Sequence, residues 1–299
     1  MTVEERTSPT EPVRAGAEPA PRREQSLWSR WAHSPSALVG GVIVAVVIVV
    51  ALLSLVWTPY PALAVDPRHS LAGSSGAHLL GSDQYGRDVL SRLMSGTRIT
   101  VYAGIVSVLV AAVVGIPAGL LAASRGGATG ETVLRLADLL YAFPALLAAI
   151  TLSAALGAST TVAMLAIGIA YIPVFTRVTR SNALVVLNSE FVLAARAYGR
   201  RPFAILRRHV LPNIAGTIIV QMTLLFSLAI LAEAALDYLG LGTTPPTPSW
   251  GNMLQTGQNY LSNDPLLSVW PGLAVFVAVL GFNLLGDGLG DVLDPRLRR

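Results

Sequence analysis

The sequence predicts an all-α integral membrane protein with six transmembrane helices, and three observations support this prediction. Of the 299 residues, 53% are hydrophobic and only 13% are charged, about half the charged fraction of a soluble domain. Several uncharged segments are long enough to cross a hydrocarbon core about 30 Å thick. The basic residues, all of them arginine, are concentrated between particular apolar segments.

The composition excludes several classes of function. The chain has no cysteine, so it forms no disulfide and offers no thiolate to a metal. It also has no lysine, and a P-loop needs a lysine for the nucleotide phosphates, so the chain is not itself a P-loop ATPase. Its four histidines lie outside the predicted spans without ligand spacing, so we expect no metal site. The net charge of +4 comes from arginines that flank the spans, and we expect no nucleic-acid partner.

The first third of the chain divides into a tail, a helix and a loop. Residues 1–35 are polar and net neutral without apolar periodicity, which predicts a disordered tail. Residues 36–57 form an uncharged run that predicts the first span. A cleavable signal peptide is the alternative, but the run exceeds the usual apolar region of about 7–15 residues. Residues 58–98 are polar, and the pattern at 87–95 suits a short amphipathic helix lying at the interface.

The second span is predicted over residues 100–123, where no charge occurs. Pro117 lies inside it, and we expect a kink there, which membrane helices tolerate. Residues 124–130 contain Gly126 and Gly127 and predict a tight loop.

The third and fourth spans share one uncharged run of 38 residues, from 139 to 176. A single helix of that length would extend about 57 Å, which is far more than a bilayer. The run must therefore fold back, and residues 157–160 (Gly-Ala-Ser-Thr) predict the turn.

A basic insert at 177–213 follows, and the last two spans are predicted at 214–239 and 266–286 around a Gly/Pro/Thr-rich loop. We therefore divide the chain into a tail at 1–35, a first helix with its extracytoplasmic loop at 36–98, a core of five helices at 99–290, and a second tail at 291–299.

Arginine placement predicts the orientation. An even number of spans puts both termini on one side of the membrane. The two tails and the loops at 124–135 and 177–213 hold 17 of the 21 arginines. Since cytoplasmic loops carry the excess of basic residues, the N-terminus, the basic insert and the C-terminus are predicted to be cytoplasmic.

The basic insert combines small residues with turn residues. Ala194, Ala195 and Gly199 leave a helix surface bare enough for another surface to approach closely. Gly199 permits a sharp reversal of the chain, and Pro202 suits the first turn of a new helix. Pro212 can break or kink the entry into the fifth span. The residues alone leave open an ordinary hairpin whose arginines only set topology.

The insert resembles the EAA loop of ABC importer permeases, here about residues 186–213. That motif is Glu-Ala-Ala, three residues, Gly, nine residues, Ile, one residue, Leu-Pro. The matching residues are Ala194, Ala195, Gly199, Leu211 and Pro212. Leu193 stands where the motif has Glu, His209 stands where it has Ile, and the nearest acid is Glu190.

Two further segments resemble the second permease of dipeptide and oligopeptide importers. One runs from His78 to Arg92, and the other runs from Ala232 through Gly242 and continues at Pro245–Leu254. Asp237 takes the place of a smaller polar residue. The resemblance covers about residues 36–295, and nickel and glutathione importers share the architecture.

The resemblance implies a type I ABC importer permease fold whose insert is a cytoplasmic coupling helix. It implies a transport component without enzymatic activity or its own cofactor, in a bacterial cytoplasmic membrane. The implied partners are a homologous permease, two ATP-binding subunits that use ATP and Mg, and an extracytoplasmic binding protein. The predicted ATPase-coupling residues are Glu190, Ala194, Ala195, Gly199, Leu211 and Pro212.

Three acids within or beside predicted spans are further candidates, because ionisable groups in spans are functional hypotheses by default. They are Asp138, Glu233 and Asp237, with either a pathway role or a structural role at helix ends. A secondary transporter with a proton relay through Glu233 and Asp237 is one alternative function. An intramembrane protease built on Ser75 and His78 is a weaker one.

Overall fold

The protein is described here by a computed structural model that covers Trp31 and residues 34–293. Most of the predicted disordered tail at 1–35 and most of the predicted C-terminal tail lie outside these residues, and Ser34 and Pro35 begin the first helix instead. Within them the regular structure is helical. The α-helices are α1 Pro35–Val56, α2 Val89–Arg125, α3 Gly127–Tyr141, α4 Ala145–Leu156, α5 Thr160–Leu187, α6 Glu190–Ala197, α7 Pro202–Ile205, α8 Leu211–Tyr238, α9 Trp250–Gln258 and α10 Leu266–Leu293.

Among the described residues, five helices are long and apolar enough to cross a membrane, and a bent pair of helices makes a sixth span if it is counted as one. Four are α1, α2, α5 and α10, which are each long and apolar enough to cross a bilayer. The fifth is the continuous helix Pro202–Tyr238, in which a π-helical turn at Leu206–Val210 joins α7 to α8. The sixth is the pair α3 and α4, which is bent by 75°. The prediction of an all-α, multi-pass membrane protein is confirmed.

Glycines allow α1 and α10 to pack closely against each other. A Cβ atom added to Gly40 would lie 2.9 Å from the carbonyl oxygen of Gly281, closer than side-chain carbons approach. On α10, a Cβ atom at Gly288 would overlap the backbone of Ala37. These two helices therefore approach almost backbone to backbone, and the outer face of α1 remains an exposed apolar surface typical of contact with lipid.

The prediction of a separate amphipathic helix at 87–95 is wrong, because α2 begins at Val89. Asp88 caps α2 by accepting a hydrogen bond from the backbone N–H of Ser91 at 2.7 Å, and the helix then continues for 37 residues. Val89, Arg92 and Met94 are buried, so the segment is the packed beginning of a span. The boundary placed between residues 98 and 99 falls inside this helix.

Helix α2 packs closely against α5 through two glycines one turn apart. A Cβ atom at Gly115 would lie 2.6 Å from the Cβ of Phe175, and one at Gly119 would lie 2.7 Å from the Cβ of Thr179. Phe175 is fully buried at this crossing. The absence of side chains on α2 therefore sets the separation of the two helices.

The third span begins earlier than predicted and is broken. Gly126 and Gly127 form the predicted turn with positive φ angles, but α3 starts at Gly127 rather than near residue 139. Helix α3 ends at Tyr141, and Pro144 precedes α4. A residue before proline is disfavoured in the helical region, so Phe143 and Pro144 account for the break.

Two other element limits differ from the sequence prediction. Helix α5 continues to Leu187, so Arg177 and Arg180 lie within a helix and the basic loop is shorter than 177–213. The loop predicted at 240–265 contains α9. Trp250 at the start of α9 donates a hydrogen bond from Nε1 to the carbonyl oxygen of Leu93 at 3.1 Å, which fixes α9 against α2.

Candidate functional site

Helix α6 lies between two spans and ends in a Schellman motif. Its last turn gives way to Gly199, whose φ angle is +74°. The N–H of Gly199 donates to the carbonyl oxygen of Arg196 at 2.9 Å, and the N–H of Arg200 donates to that of Ala195 at 3.2 Å. This pair of bonds defines the motif. The chain reversal predicted at Gly199 is confirmed.

The second half of the insert starts a new helix as the sequence predicts. Arg201 is extended, and Pro202 occupies the first position of α7. A π-helical turn, Leu206–Val210, then precedes Pro212. Proline has no N–H and its ring crowds the carbonyl four residues earlier, so a wider turn before Pro212 lets the helix continue into α8 without a break.

Buried side chains hold the insert against the bundle. Val192 on α6 is fully buried, as are Ile205 and Val210 on the following helix. These residues join the cluster formed by Ala183 and Leu187 at the end of α5. Burial of such side chains is worth about 1.5–3 kcal/mol each, so the insert is part of the packed structure.

The opposite side of the insert is an exposed apolar surface, which we call the α6 face. It is formed by Leu193, Ala194, Ala197 and Tyr198, on the side of α6 away from Val192, and Phe203 is likewise exposed on α7. Tyr198 is 89% exposed and Phe203 is 75% exposed. Grouped large apolar side chains on a surface mark interaction sites. Leu193, Tyr198 and Phe203 were not among the predicted site residues, although apolar residues within a basic loop are a detectable signal.

The predicted coupling residues fall into two groups. Glu190, Ala194 and Ala195 lie on α6, and Gly199 ends it. Glu190 is in the first turn, where the helix dipole favours a carboxylate. Leu211 and Pro212 lie beyond the π-helical turn, at the start of α8. Spacing in sequence alone did not separate these groups.

His209, a departure from the EAA pattern, packs against α6. Its ring centroid lies 6.2 Å from that of Phe191, and the residue is half-buried. The imidazole therefore helps to join the π-helical turn to the first turn of α6.

Asp138 connects α3 to α5. Its Oδ1 accepts a hydrogen bond from Nη2 of Arg177 at 2.6 Å, and the guanidinium of Arg177 lies 4.5 Å from the ring centroid of Tyr141. Both side chains of the ion pair are substantially exposed, at 60% and 43%. Asp138 therefore has a structural partner beside the break in the third span.

Glu233 and Asp237 are buried at the opposite end of the bundle, where α9 lies. The hydroxyl of Thr100 on α2 donates to Oε2 of Glu233 at 3.4 Å. The backbone N–H of Thr243 donates to Oδ1 of Asp237 at 2.5 Å. Asn252 on α9 donates from Nδ2 to the carbonyl oxygen of Thr243 at 2.6 Å. The two acids thus join α8 to α2 and to the segment before α9.

His78 has an acidic partner in the loop between α1 and α2. Its Nδ1 lies 2.9 Å from Oδ1 of Asp88, the residue that caps α2. Ser75 instead accepts a hydrogen bond from the backbone N–H of His78 at 3.1 Å. The imidazole of His78 therefore pairs with the residue that caps α2. This geometry favours a structural role for His78 over a role as the base of a serine nucleophile.

A second ion-paired group in the same loop holds the chain before α2. Nε of Arg87 lies 2.6 Å from Oδ2 of Asp83, and Oδ1 of Asp83 accepts the backbone N–H groups of Tyr85 and Arg87. Nearby, Asp66 pairs with His69 and accepts the N–H of Arg68, and these hydrogen bonds lower the pKa of the Asp66 carboxyl. The loop is therefore ordered by carboxylates.

Relatives of known function match almost the whole chain. A glutathione transport system permease protein of Pectobacterium atrosepticum is 38% identical over 275 residues, covering 92% of this chain and 91% of that protein. A di/tripeptide transport system permease protein of Pseudomonas aeruginosa is 39% identical, with 94% of each chain covered. A dipeptide transport system permease protein of Alkalihalophilus pseudofirmus is 38% identical, covering 88% and 86%.

The fold matches a solved transporter. A chain from an inward-facing methionine ABC transporter superposes with a TM-score of 0.57 at 18% identity, covering 68% of this chain and 96% of that chain. This similarity confirms the type I importer permease fold.

The family described as "Binding-protein-dependent transport system inner membrane component" matches residues 115–299, from the middle of α2 onward. Members of this family are transport components without a cofactor of their own, and ATP hydrolysis belongs to separate subunits. In general they act with a partner permease, an ATPase and a binding protein. The chain therefore belongs to this family of inner membrane components and is a permease subunit of an ABC importer.

Proposed function

We propose that this permease subunit moves short peptides across the bacterial inner membrane and that α6 is its contact with an ATP-binding subunit. The observation that carries the proposal is the α6 face. Exposed apolar side chains lie on a short helix that is anchored to the bundle by Val192 and ended sharply at Gly199. A rigid, apolar projection of this kind suits transmission of a push from a docked protein.

The proposed assembly contains a homologous second permease, two ATP-binding subunits that use ATP and Mg, and an extracytoplasmic binding protein. Closure of the ATP-binding subunits on ATP would move α6. Because α6 shares a buried cluster with the end of α5 and with the π-helical turn that leads into α8, its movement would be passed to these two spans. Alternating access then results from rocking of the spans, with ATP hydrolysis in the partners as the source of free energy.

Small side chains on α6 are consistent with close docking. Ala194 is exposed and Ala195 is half-buried, and no heavy atom of the described chain lies within 4 Å of a Cβ atom added to Gly199. Leu193, where the EAA pattern has Glu, is half exposed on the same face. We infer that this position contributes apolar contact in place of an ion pair.

The proposed substrate class, short peptides, is supported by the similar permeases reported above. Two of the relatives described above are permeases for dipeptides or tripeptides, and a third is a glutathione permease. Glutathione is the second candidate substrate for this reason, and it is itself a modified tripeptide. A nickel importer, which the sequence left open, has no comparable relative among these three.

Family membership argues against the two other hypotheses. A proton-driven secondary transporter needs no ATP-binding partner, and an intramembrane protease is an enzyme. Both differ in class from a permease of a binding-protein-dependent system.

The substrate assignment is tested with the complete importer in proteoliposomes. Dipeptides and tripeptides, presented with the binding protein, are expected to stimulate ATP hydrolysis. Glutathione and a nickel chelate are tested in parallel. Stimulation by glutathione alone would assign the second candidate, and stimulation by the nickel chelate alone would contradict the peptide proposal.

A further inference from the structure

Glu233 and Asp237 form a carboxyl pair inside the bundle. They are one helical turn apart on α8, and their exposed fractions are 1% and 0%. Residues four apart on a helix lie on the same face, so the two side chains are neighbours. Neither is assigned a role by the coupling mechanism proposed above, which involves the other end of the bundle.

Each carboxyl has a neutral donor on one oxygen only. Thr100 donates to Oε2 of Glu233, and the N–H of Thr243 donates to Oδ1 of Asp237. The remaining oxygens, Oε1 of Glu233 and Oδ2 of Asp237, are buried without a hydrogen-bond partner. The atoms that lack a donor thus belong to two neighbouring carboxyls on one face of α8.

The surroundings contain polar groups but no counter-charge in contact with the pair. Thr100 comes from α2, Thr243 and Ser249 from the segment before α9, and Asn252 from α9, and none of these is charged. Thr160 at the start of α5 meets Thr243 at 3.0 Å between hydroxyl oxygens. Within residues 34–293, no arginine or histidine forms an ion pair with either carboxylate.

An ionised carboxylate only accepts hydrogen bonds, so two carboxylates in contact cannot bond to each other. Two like charges one helical turn apart in a buried site, without a counter-charge in contact, strongly disfavour ionisation of both groups. If one carboxyl carries a proton, it becomes a donor to its neighbour, which removes one charge and satisfies both orphaned oxygens.

We propose that Glu233 and Asp237 are a proton-binding site in which the two carboxyls share one proton. The shared proton joins the residue bonded to α2 with the residue bonded to the segment before α9. It thereby holds the end of α8, the start of α2 and that segment in one arrangement. This inference is independent of the transported substrate and of the α6 face.

Infrared spectroscopy of the purified importer at neutral pH tests the shared proton directly. The spectrum of the wild-type complex minus that of Glu233→Gln is expected to contain the carbonyl band of one protonated carboxyl group. The difference spectrum with Asp237→Asn is expected to contain the same band, because loss of either partner removes the need for the proton. A band that persists in Asp237→Asn, or no band in either difference spectrum, would overturn the proposal.

Thermal unfolding of the same complexes separates a proton from a bound cation. Glu233→Gln and Asp237→Asn each supply an amide donor in place of the shared proton, so both are expected to melt close to the wild type. Glu233→Ala and Asp237→Ala remove the contact and are expected to melt at lower temperature. If Na⁺ or Ca²⁺ raises the melting temperature of the wild type and neither amide variant responds, the pair binds a cation and the proposal is wrong.

Discussion

Gly199 ends α6 with a φ angle of +74°, a conformation that glycine adopts without cost. Among the described residues no heavy atom lies within 4 Å of an added Cβ, so a substitution there changes the backbone preference and little else. The Schellman bonds at Gly199 and Arg200 depend on this one residue.

Gly199→Ala is expected to weaken the end of α6 by about 1 kcal/mol, because L residues pay roughly that amount in the left-handed region. Hydrogen exchange of the Gly199 and Arg200 amides in the assembled importer should therefore accelerate about fivefold. Gly199→Asn is the matched control, since asparagine tolerates this conformation better, and it should accelerate exchange less. Equal protection in wild type and Gly199→Ala would contradict the conformational role of this glycine.

At the candidate site, the sequence predicts the backbone at some residues but not the exposure of others. The reversal at Gly199 and the new helix at Pro202 were predictable because glycine and proline have strong local preferences. The exposure of Tyr198 and Phe203 was not predictable, since it depends on which side of α6 faces the bundle. That choice is made by the burial of Val192, a contact distant in sequence.

At the scale of elements, the packing of α2 against α5 depends on glycines that leave no space for a side chain. Gly119→Ala places a Cβ atom 2.7 Å from the Cβ of Thr179 and 2.6 Å from the carbonyl oxygen of Thr176. Both neighbours are parts of a packed helix, so the two spans must separate to admit the methyl group.

Gly119→Ala is expected to destabilise the permease by about 1–3 kcal/mol, the usual cost of overpacking. The measurement is the melting temperature of the detergent-solubilised complex. Gly272→Ala on α10 is the matched control, because the sole contact that its Cβ would make with the described residues is a side-chain carbon of Leu254 at 3.7 Å. If both variants melted with the wild type, the close approach of α2 and α5 would not depend on Gly119.

The long apolar spans could be predicted from the sequence, but the break in the third span and several helix limits could not. An uncharged run identifies the part of a helix that can lie in lipid. A charged residue ends such a run in the sequence, although the helix itself can continue through it. Arg177 lies inside α5 because Asp138 and Tyr141 on α3 supply a carboxylate and a ring. Similarly, α2 begins at Val89 because Asp88 caps it and buried partners accommodate Arg92.

At the scale of the whole molecule, the orientation in the membrane is a prediction from arginine placement. The α6 face is predicted to be cytoplasmic and the α9 end extracytoplasmic. Because the natural chain contains no cysteine, single cysteines can be introduced without removing others. Tyr198 and Leu261 are suitable positions, being exposed at opposite ends of the bundle.

In intact cells, Leu261→Cys is expected to react with a membrane-impermeant thiol reagent. Tyr198→Cys is expected to react only after the membrane is permeabilised and the ATP-binding subunits are absent. The unmodified chain is the control for background labelling. Labelling of Tyr198→Cys from outside intact cells would reverse the predicted orientation and remove the basis for ATPase docking at α6.

ATP-driven transport is proposed to pass through α6, and uptake of a labelled dipeptide by the reconstituted importer measures this coupling. Ala194→Arg places a long charged side chain on the exposed α6 face and should leave the permease inserted and folded while reducing ATP-dependent uptake to background. Ala194→Ser keeps the side chain small and should transport like the wild type. Uptake by Ala194→Arg at the wild-type rate, or wild-type uptake that continues without ATP, would contradict a role of the α6 face in coupling.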